Sequence, residues 1–183
     1  MAKIYTRTGD DGTTGMVGGG RVAKDSPLVE ACGELDELNA LIGVVRSGEF
    51  PARADLILEL VQNNLFAIGS EIMTPEGSAI KNGGFREEEI RNLEREIDAL
   101  DQDLEPLRHF ILPGGAKAAA DLHLVRAVVR RVERRFVALS RIRTITPQVM
   151  CYLNRLSDLC FVLARYINRQ QGVPEPQLSK AGS

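Results

Sequence analysis

Apolar residues recur at the helical period in five separate stretches of this chain, approximately 27–47, 53–73, 86–103, 115–141 and 147–170. Each stretch ends at a marked break: Gly48 to Pro51, Thr74 to Gly84, Pro106 to Gly115, and Thr144 to Pro147. The starts carry helix chemistry as well. Ser26 can cap a first turn that accepts Pro27, and Thr146-Pro147 repeats the arrangement. Arg86-Glu87-Glu88-Glu89 puts negative charge where a helix dipole favours it. With 183 residues the chain is long enough for one domain. The expectation is all-α: a five-helix bundle over 26–171, preceded by a glycine-rich N-terminal arm (1–25) and followed by a flexible tail (172–183).

Composition removes several function classes. Lys+Arg 23 against Asp+Glu 25 gives a net charge of -2, so no general polycation is present and no nucleic-acid partner is expected. No apolar run approaches the roughly 20 residues that span a bilayer, and the first residues lack the apolar stretch of a signal peptide. Cys32, Cys151 and Cys160 form no CxxC and read as small buried hydrophobes, which suits a reducing cytoplasm.

Six of the 17 glycines fall in the arm: Gly9, Gly12, Gly15, Gly18, Gly19 and Gly20. Glycines let the backbone turn N–H groups toward an anion, Thr hydroxyls add donors, and Arg7, Arg21 and Lys24 supply positive charge. No Walker A spacing is present. Composition alone leaves open both a solvated leader and a phosphate-binding loop. Likewise Asp10-Asp11 reads either as a holder of phosphate-bound Mg2+ or as a turn cap.

Helical wheels single out residues that a plain core does not need. In the fourth helix Val125, Val128, Val129, Val132, Phe136 and Leu139 form the apolar stripe, with Arg126, Arg130 and Glu133 aligned on its margin. Arg131 and Arg135 flank the other margin, and Arg134 points most nearly away from the core. The Arg126–Arg130 face fits either a solvated surface with Glu133 paired to Arg130, or a polyphosphate clamp. In the fifth helix Asn154, Asp158, Phe161 and Arg165 lie opposite the stripe of Val149, Leu153, Leu156, Cys160, Leu163 and Ile167. An aromatic there suggests a partner subunit or a flat ligand. Glu34 sits on the stripe of Ala31, Leu35, Leu38, Leu41, Ile42 and Val45, so it must be paired or protonated. Asp36 faces the reverse side, either solvated or available to an intersubunit cation. His109-Phe110-Ile111-Leu112-Pro113-Gly114-Gly115 is too apolar for a solvent loop and is expected to bury. His109 and His123 lack companions at metal-ligand spacing, so both read as structural and no residue is assigned to a metal.

Taken together, Tyr5-Thr6-Arg7-Thr8-Gly9-Asp10-Asp11-Gly12, Gly20-Arg21-Val22-Ala23-Lys24-Asp25, Gly33-Glu34-Leu35-Asp36-Glu37-Leu38-Asn39, Phe110-Ile111-Leu112-Pro113-Gly114-Gly115, the 126–134 stretch and Tyr152-Leu153-Asn154-Arg155-Leu156-Ser157-Asp158 resemble the ATP:cob(I)alamin adenosyltransferases. The match runs in order through nearly the whole chain, omitting mainly the 74–84 loop and the tail.

The resemblance implies a homotrimer with active sites between subunits, transferring the 5′-deoxyadenosyl group of ATP to a reduced corrinoid. It assigns Thr6, Arg7, Thr8, Gly9, Thr14, Gly15 and Lys24 to ATP, with Arg130, Glu133, Arg134 and Asn154 as the helical half of that site. Asp36 and Arg126 match a pair across the subunit interface beside the corrin. Phe110 matches the aromatic that keeps the lower axial ligand from cobalt, and Phe161 one that lines the same pocket. Mg2+, cobalamin, a flavin-type reductase and an adenosylcobalamin-dependent enzyme complete the implied set of ligands and partners. The rival reading is a non-catalytic ATP-binding trimer, either a sensor or a cobalamin carrier.

Overall fold

The computed structural model describes residues 4–49, 51–78 and 84–178. Five helices form, α1 (Pro27–Arg46), α2 (Ala52–Ile72), α3 (Glu87–Asp101), α4 (Lys117–Leu139) and α5 (Pro147–Gln170). In space they neighbour one another as α2–α1–α4–α5–α3. The stripes read from the sequence face inward: Val125, Val128, Val129, Val132, Phe136 and Leu139 of α4 are buried, as is the whole α5 stripe. Leu41 is only partly covered. Asn64 of α2 donates to the Tyr152 hydroxyl of α5 at 3.2 Å, and the edge of Phe85 meets the Tyr152 ring at 4.9 Å. Burial among these groups pushes the Tyr152 hydroxyl pKa far up, and that of the Cys160 thiol up to about 12. Cys160 is therefore an inert core residue, whereas Cys32 and Cys151 are half-buried.

The helix starts are held in different ways. Ser26 caps α1 as expected, accepting from Val29 N–H at 3.3 Å. Thr146 does not cap α5. Its hydroxyl donates instead to the buried carboxylate of Glu71 at 2.8 Å, and Glu71 also accepts from Phe85 N–H. Helix α4 starts at 117 rather than 115 because Gly115 has φ 102° and the Ala116 N–H bonds to the Asn168 side chain at 2.8 Å.

Within the arm, two short strands, β1 (Thr13–Gly15) and β2 (Arg21–Ala23), pair antiparallel. The turn between them carries Gly18, Gly19 and Gly20, all at positive φ. Its tip is fixed to the bundle by Val17 N–H, which donates to Met73 O at 2.9 Å.

Two further expectations need correction. The chain after Gly172 is docked through Leu178: Val173 N–H donates to Asn168 O, Leu112 N–H to Pro176 O and Leu178 N–H to Phe110 O. A β-bridge joins Ile111 to Gln177. This pairing of loop with tail is non-local, so the tail's polar composition did not reveal it. Residues 179–183 lie outside the described residues. The 109–115 loop, expected to bury, leaves Phe110 84% exposed and Leu112 43% exposed. Backbone pairing holds it where apolar packing was anticipated.

Candidate functional site

The arm is shaped by its own cations. Arg21 donates to Thr8 O and to Thr13 Oγ1 and O, and pairs with Asp11 at 3.4 Å. Asp11 accepts from the N–H and hydroxyl of Thr13, and these bonds lower its carboxyl pKa. Of the two readings of Asp11 the turn cap is the one seen. Lys24 donates to Gly9 O at 2.8 Å, closing the 6–13 loop over β2 and leaving two ammonium protons for other acceptors. Arg7 sits at φ 61° with its guanidinium over the Tyr5 ring. Thr6 and Thr8 share a hydroxyl hydrogen bond, and both are exposed.

On the helices, Glu133 accepts from Asn154 Nδ2 at 3.0 Å, so its partner is Asn154 of α5 and not Arg130. Among the described residues Arg130 and Arg134 make no hydrogen bond or ion pair, and both are exposed. The Arg126 Nε is buried and likewise without a partner among them. One arginine face of α4 thus stands uncompensated. The other is fully matched: Arg131 and Arg135 both bind Glu34, at 2.7 and 3.0 Å, and reach Glu37 and Glu30. Burial alone would raise the Glu34 carboxyl pKa, but these two guanidinium groups hold it below the usual range. The charge on the α1 stripe is paired.

Asp36 is exposed and opens onto a groove of about 660 Å3 between α1 and α2, which Asn39, Glu59, Asn63 and Phe66 also line. No ion pair joins Asp36 to Arg126, and no hydrogen bond joins Thr6, Arg7, Thr8, Gly9, Thr14, Gly15 or Lys24 to Arg130, Glu133, Arg134 or Asn154. The structure brings Glu133 and Asn154 together and folds the arm on itself. It does not unite the arm with the arginine face inside one chain.

Phe161 is half-buried, with its ring 6.1 Å from that of His123. His123 is buried and neither ring nitrogen has a partner among the described residues. Burial, and then the charge of Arg126, lower its pKa. Arg165, placed opposite the core by the helical wheel, is 5% exposed. The tail covers it, with Glu175 at 2.9 Å. Wheel geometry missed the roles of Arg165 and Asn168 because they bond to non-helical segments, the 105–116 loop and the tail, and it cannot speak for Glu175, which lies outside the helices. Among the described residues no group of three or more His, Cys, Asp or Glu is arranged to hold a metal ion.

Comparison with known proteins fits this arrangement. The family model for cobalamin adenosyltransferase matches residues 4–167. The corrinoid adenosyltransferase of Bacillus subtilis is 42% identical over 98% of this chain and 93% of its own length. The human corrinoid adenosyltransferase MMAB is 41% identical over 96% of this chain and 72% of its own. Among solved structures, a variant of the PduO-type ATP:corrinoid adenosyltransferase from Lactobacillus reuteri, complexed with cobalamin and ATP, superposes with a TM-score of 0.89 at 36% identity, covering 97% of this chain and 100% of that one. With the family match running from the arm through nearly the whole of α5, the chain belongs to the cobalamin adenosyltransferase family.

Proposed function

We propose that this chain transfers the 5′-deoxyadenosyl group of ATP to the cobalt of a reduced corrinoid, giving adenosylcobalamin and triphosphate. The observation that carries the reading is an uncompensated Arg126–Arg130 face together with an exposed Phe110, in a chain that aligns almost end to end with corrinoid adenosyltransferases. Reduced cobalt attacks C5′ of ATP, the C5′–O bond breaks, and triphosphate leaves with the bonding pair. The substrate is a strong nucleophile, so the chain's work is to align cobalt, carbon and leaving oxygen and to neutralise the growing charge. Arg130 and the free protons of Lys24 take the triphosphate, with Thr6, Arg7, Thr8, Gly9, Thr14 and Gly15 around the nucleotide. Glu133, Arg134 and Asn154 supply the helical contacts. Phe110 and Phe161 face the corrinoid, where Phe110 excludes a lower ligand and water. Removing that donor eases reduction to Co(I), because a ligand stabilises the higher oxidation state.

Magnesium belongs to this reading as an ion carried by phosphate oxygens, since the side chains of the described residues offer no cage of three or more His, Cys, Asp or Glu. A homotrimer also belongs to it. Asp36 opens onto the α1–α2 groove while Arg126 sits on α4 near His123, and a second copy would let them meet. Leu56, Leu60 and Phe66 leave an apolar face on α2, 63%, 63% and 75% exposed, that an assembly would cover. No helix among the described residues is long and apolar enough to cross a membrane. We place the enzyme in the cytoplasm, with a flavin-type reductase supplying the electron and an adenosylcobalamin-dependent enzyme taking the product.

The test is an anaerobic spectrum of the protein with cob(II)alamin before and after Mg-ATP. A nucleotide-dependent change to four-coordinate cobalt, followed on reduction by adenosylcobalamin, is the expected result. A spectral change without product would favour a carrier. No change would overturn the corrinoid assignment.

A further inference from the structure

An aromatic ring that is 84% exposed cannot be aimed by its own packing. Within one chain, what fixes Phe110 therefore acts through its backbone, and that backbone is held at three places. Ahead of it, Arg165 of α5 donates to Glu105 O at 2.7 Å. Behind it, Asn168, one turn further along α5, donates to Gly114 O at 3.2 Å and accepts from Ala116 N–H at 2.8 Å. Between these points the tail pairs with the loop, Leu178 N–H to Phe110 O at 3.1 Å and Leu112 N–H to Pro176 O at 2.7 Å. The tail in turn is fastened by Glu175, whose carboxylate meets Arg165 Nε at 2.9 Å.

Arg165 is the common node. It is 5% exposed and ties the 105–116 loop and the tail to one helix, with Asp101 at the end of α3 a further 3.9 Å partner. A guanidinium suits this task because its fork offers several donors in a fixed plane. We infer that Arg165 and Glu175, with Asn168, are positioning residues that aim Phe110 by clamping its loop between α5 and the tail. The inference rests on the reading of Phe110 as the residue that excludes cobalt's lower ligand.

The informative variant is Glu175→Ala. Glu175 lies outside the helices, so its loss frees the tail while the bundle stays intact. In the full-length protein with Mg-ATP, the fraction of cob(II)alamin that turns four-coordinate is expected to fall severalfold. Turnover coupled to reduction is expected to fall about 10- to 100-fold, the scale of a misplacement near 1 Å. KM for ATP and the unfolding midpoint should stay close to wild type, and Glu175→Gln, which can still accept from Arg165, should recover most of the signal. A wild-type four-coordinate fraction in Glu175→Ala overturns the inference. So does an equal loss of ATP affinity, which would mark a general structural role. Phe110→Ala run alongside separates the two claims. If it too leaves the four-coordinate fraction intact, the reading of Phe110 fails. If it alone abolishes that fraction, only the clamp fails.

Discussion

The side chain of Asn168 occupies the space where a Cβ on Gly115 would stand, only 2.2 Å from that atom's ideal position. Gly115 also has φ 102°, which side-chain-bearing residues rarely adopt. Asn168 cannot move aside, because its amide is bonded at both ends to the loop. Gly115→Ala and Asn168→Leu are each expected to destabilise by ~1–3 kcal/mol, lowering the unfolding midpoint by several degrees in a chain of this size. A thermal melt of both variants checks this. Midpoints equal to wild type would show that the loop does not depend on the amide.

Arg130→Ala is expected to remove most adenosyltransfer while changing stability by less than about 0.5 kcal/mol, since the exposed guanidinium has no partner among the described residues. The measurement is adenosylcobalamin formation at saturating ATP beside a denaturation curve. Near-normal turnover would contradict a role in polyphosphate binding.

Phe110→Ala separates reduction from transfer. Turnover coupled to reduction of Co(II) is expected to fall far more than turnover of chemically prereduced cobalamin. Equal losses would count against the exclusion of a lower ligand. Stability should be untouched, because the ring is exposed.

Acid stability should carry the mark of Glu34. Its folded pKa lies below the unfolded value, since Arg131 and Arg135 outweigh the opposing effect of burial. The stabilisation is therefore complete above about pH 4.5 and is lost as pH falls through the depressed folded value. Glu34→Gln is expected to cost on the order of 1 kcal/mol at pH 7 and to flatten the stability profile below pH 4.5. Parallel profiles for the two proteins would refute this.

His123 contributes a slope of the same sign at higher pH. Burial and Arg126 lower its folded pKa, against a weaker opposing pull from Glu175. The unfolded chain thus binds a proton first, and stability falls as pH drops below about 6.5, until the folded pKa is passed. His123→Leu should reduce that fall between pH 7 and 5.5. At pH 7.5 it should be nearly neutral, because neither ring nitrogen has a hydrogen bond to lose among the described residues. A variant with an unchanged pH slope would show that another group titrates.

Local chemistry was readable from the chain itself. The start of α1 follows from Ser26-Pro27 and that of α5 from Pro147, though Thr146 is no cap, and the apolar stripes point inward with Leu41 only partly covered. Glu34 was recognisable as a charge needing a partner. Its partners were not, because Arg131 lies 97 positions away. The same limit hid the burial of Arg165. A helical wheel gives the direction of a side chain but not the segment that comes to lie over it, and here that segment is a proline-rich tail with little apolar content. Motif resemblance gathered Arg130, Glu133 and Asn154 into one site, and the fold joins two of them directly.

Val17 is tied to Met73, and Arg21 and Lys24 draw the 6–13 loop onto the hairpin, so the arm is a closed loop and not a loose leader. Freezing a free residue costs about 1–2 kcal/mol in lost backbone entropy. An arm that ordered only on contact would set most of the attraction for its ligand against that loss. Here much of the ordering is completed during folding. On the proposed reading of the arm as the nucleotide site, capture is docking onto a shape already drawn, and its calorimetric record should carry little of the entropy penalty and heat-capacity change of coupled folding.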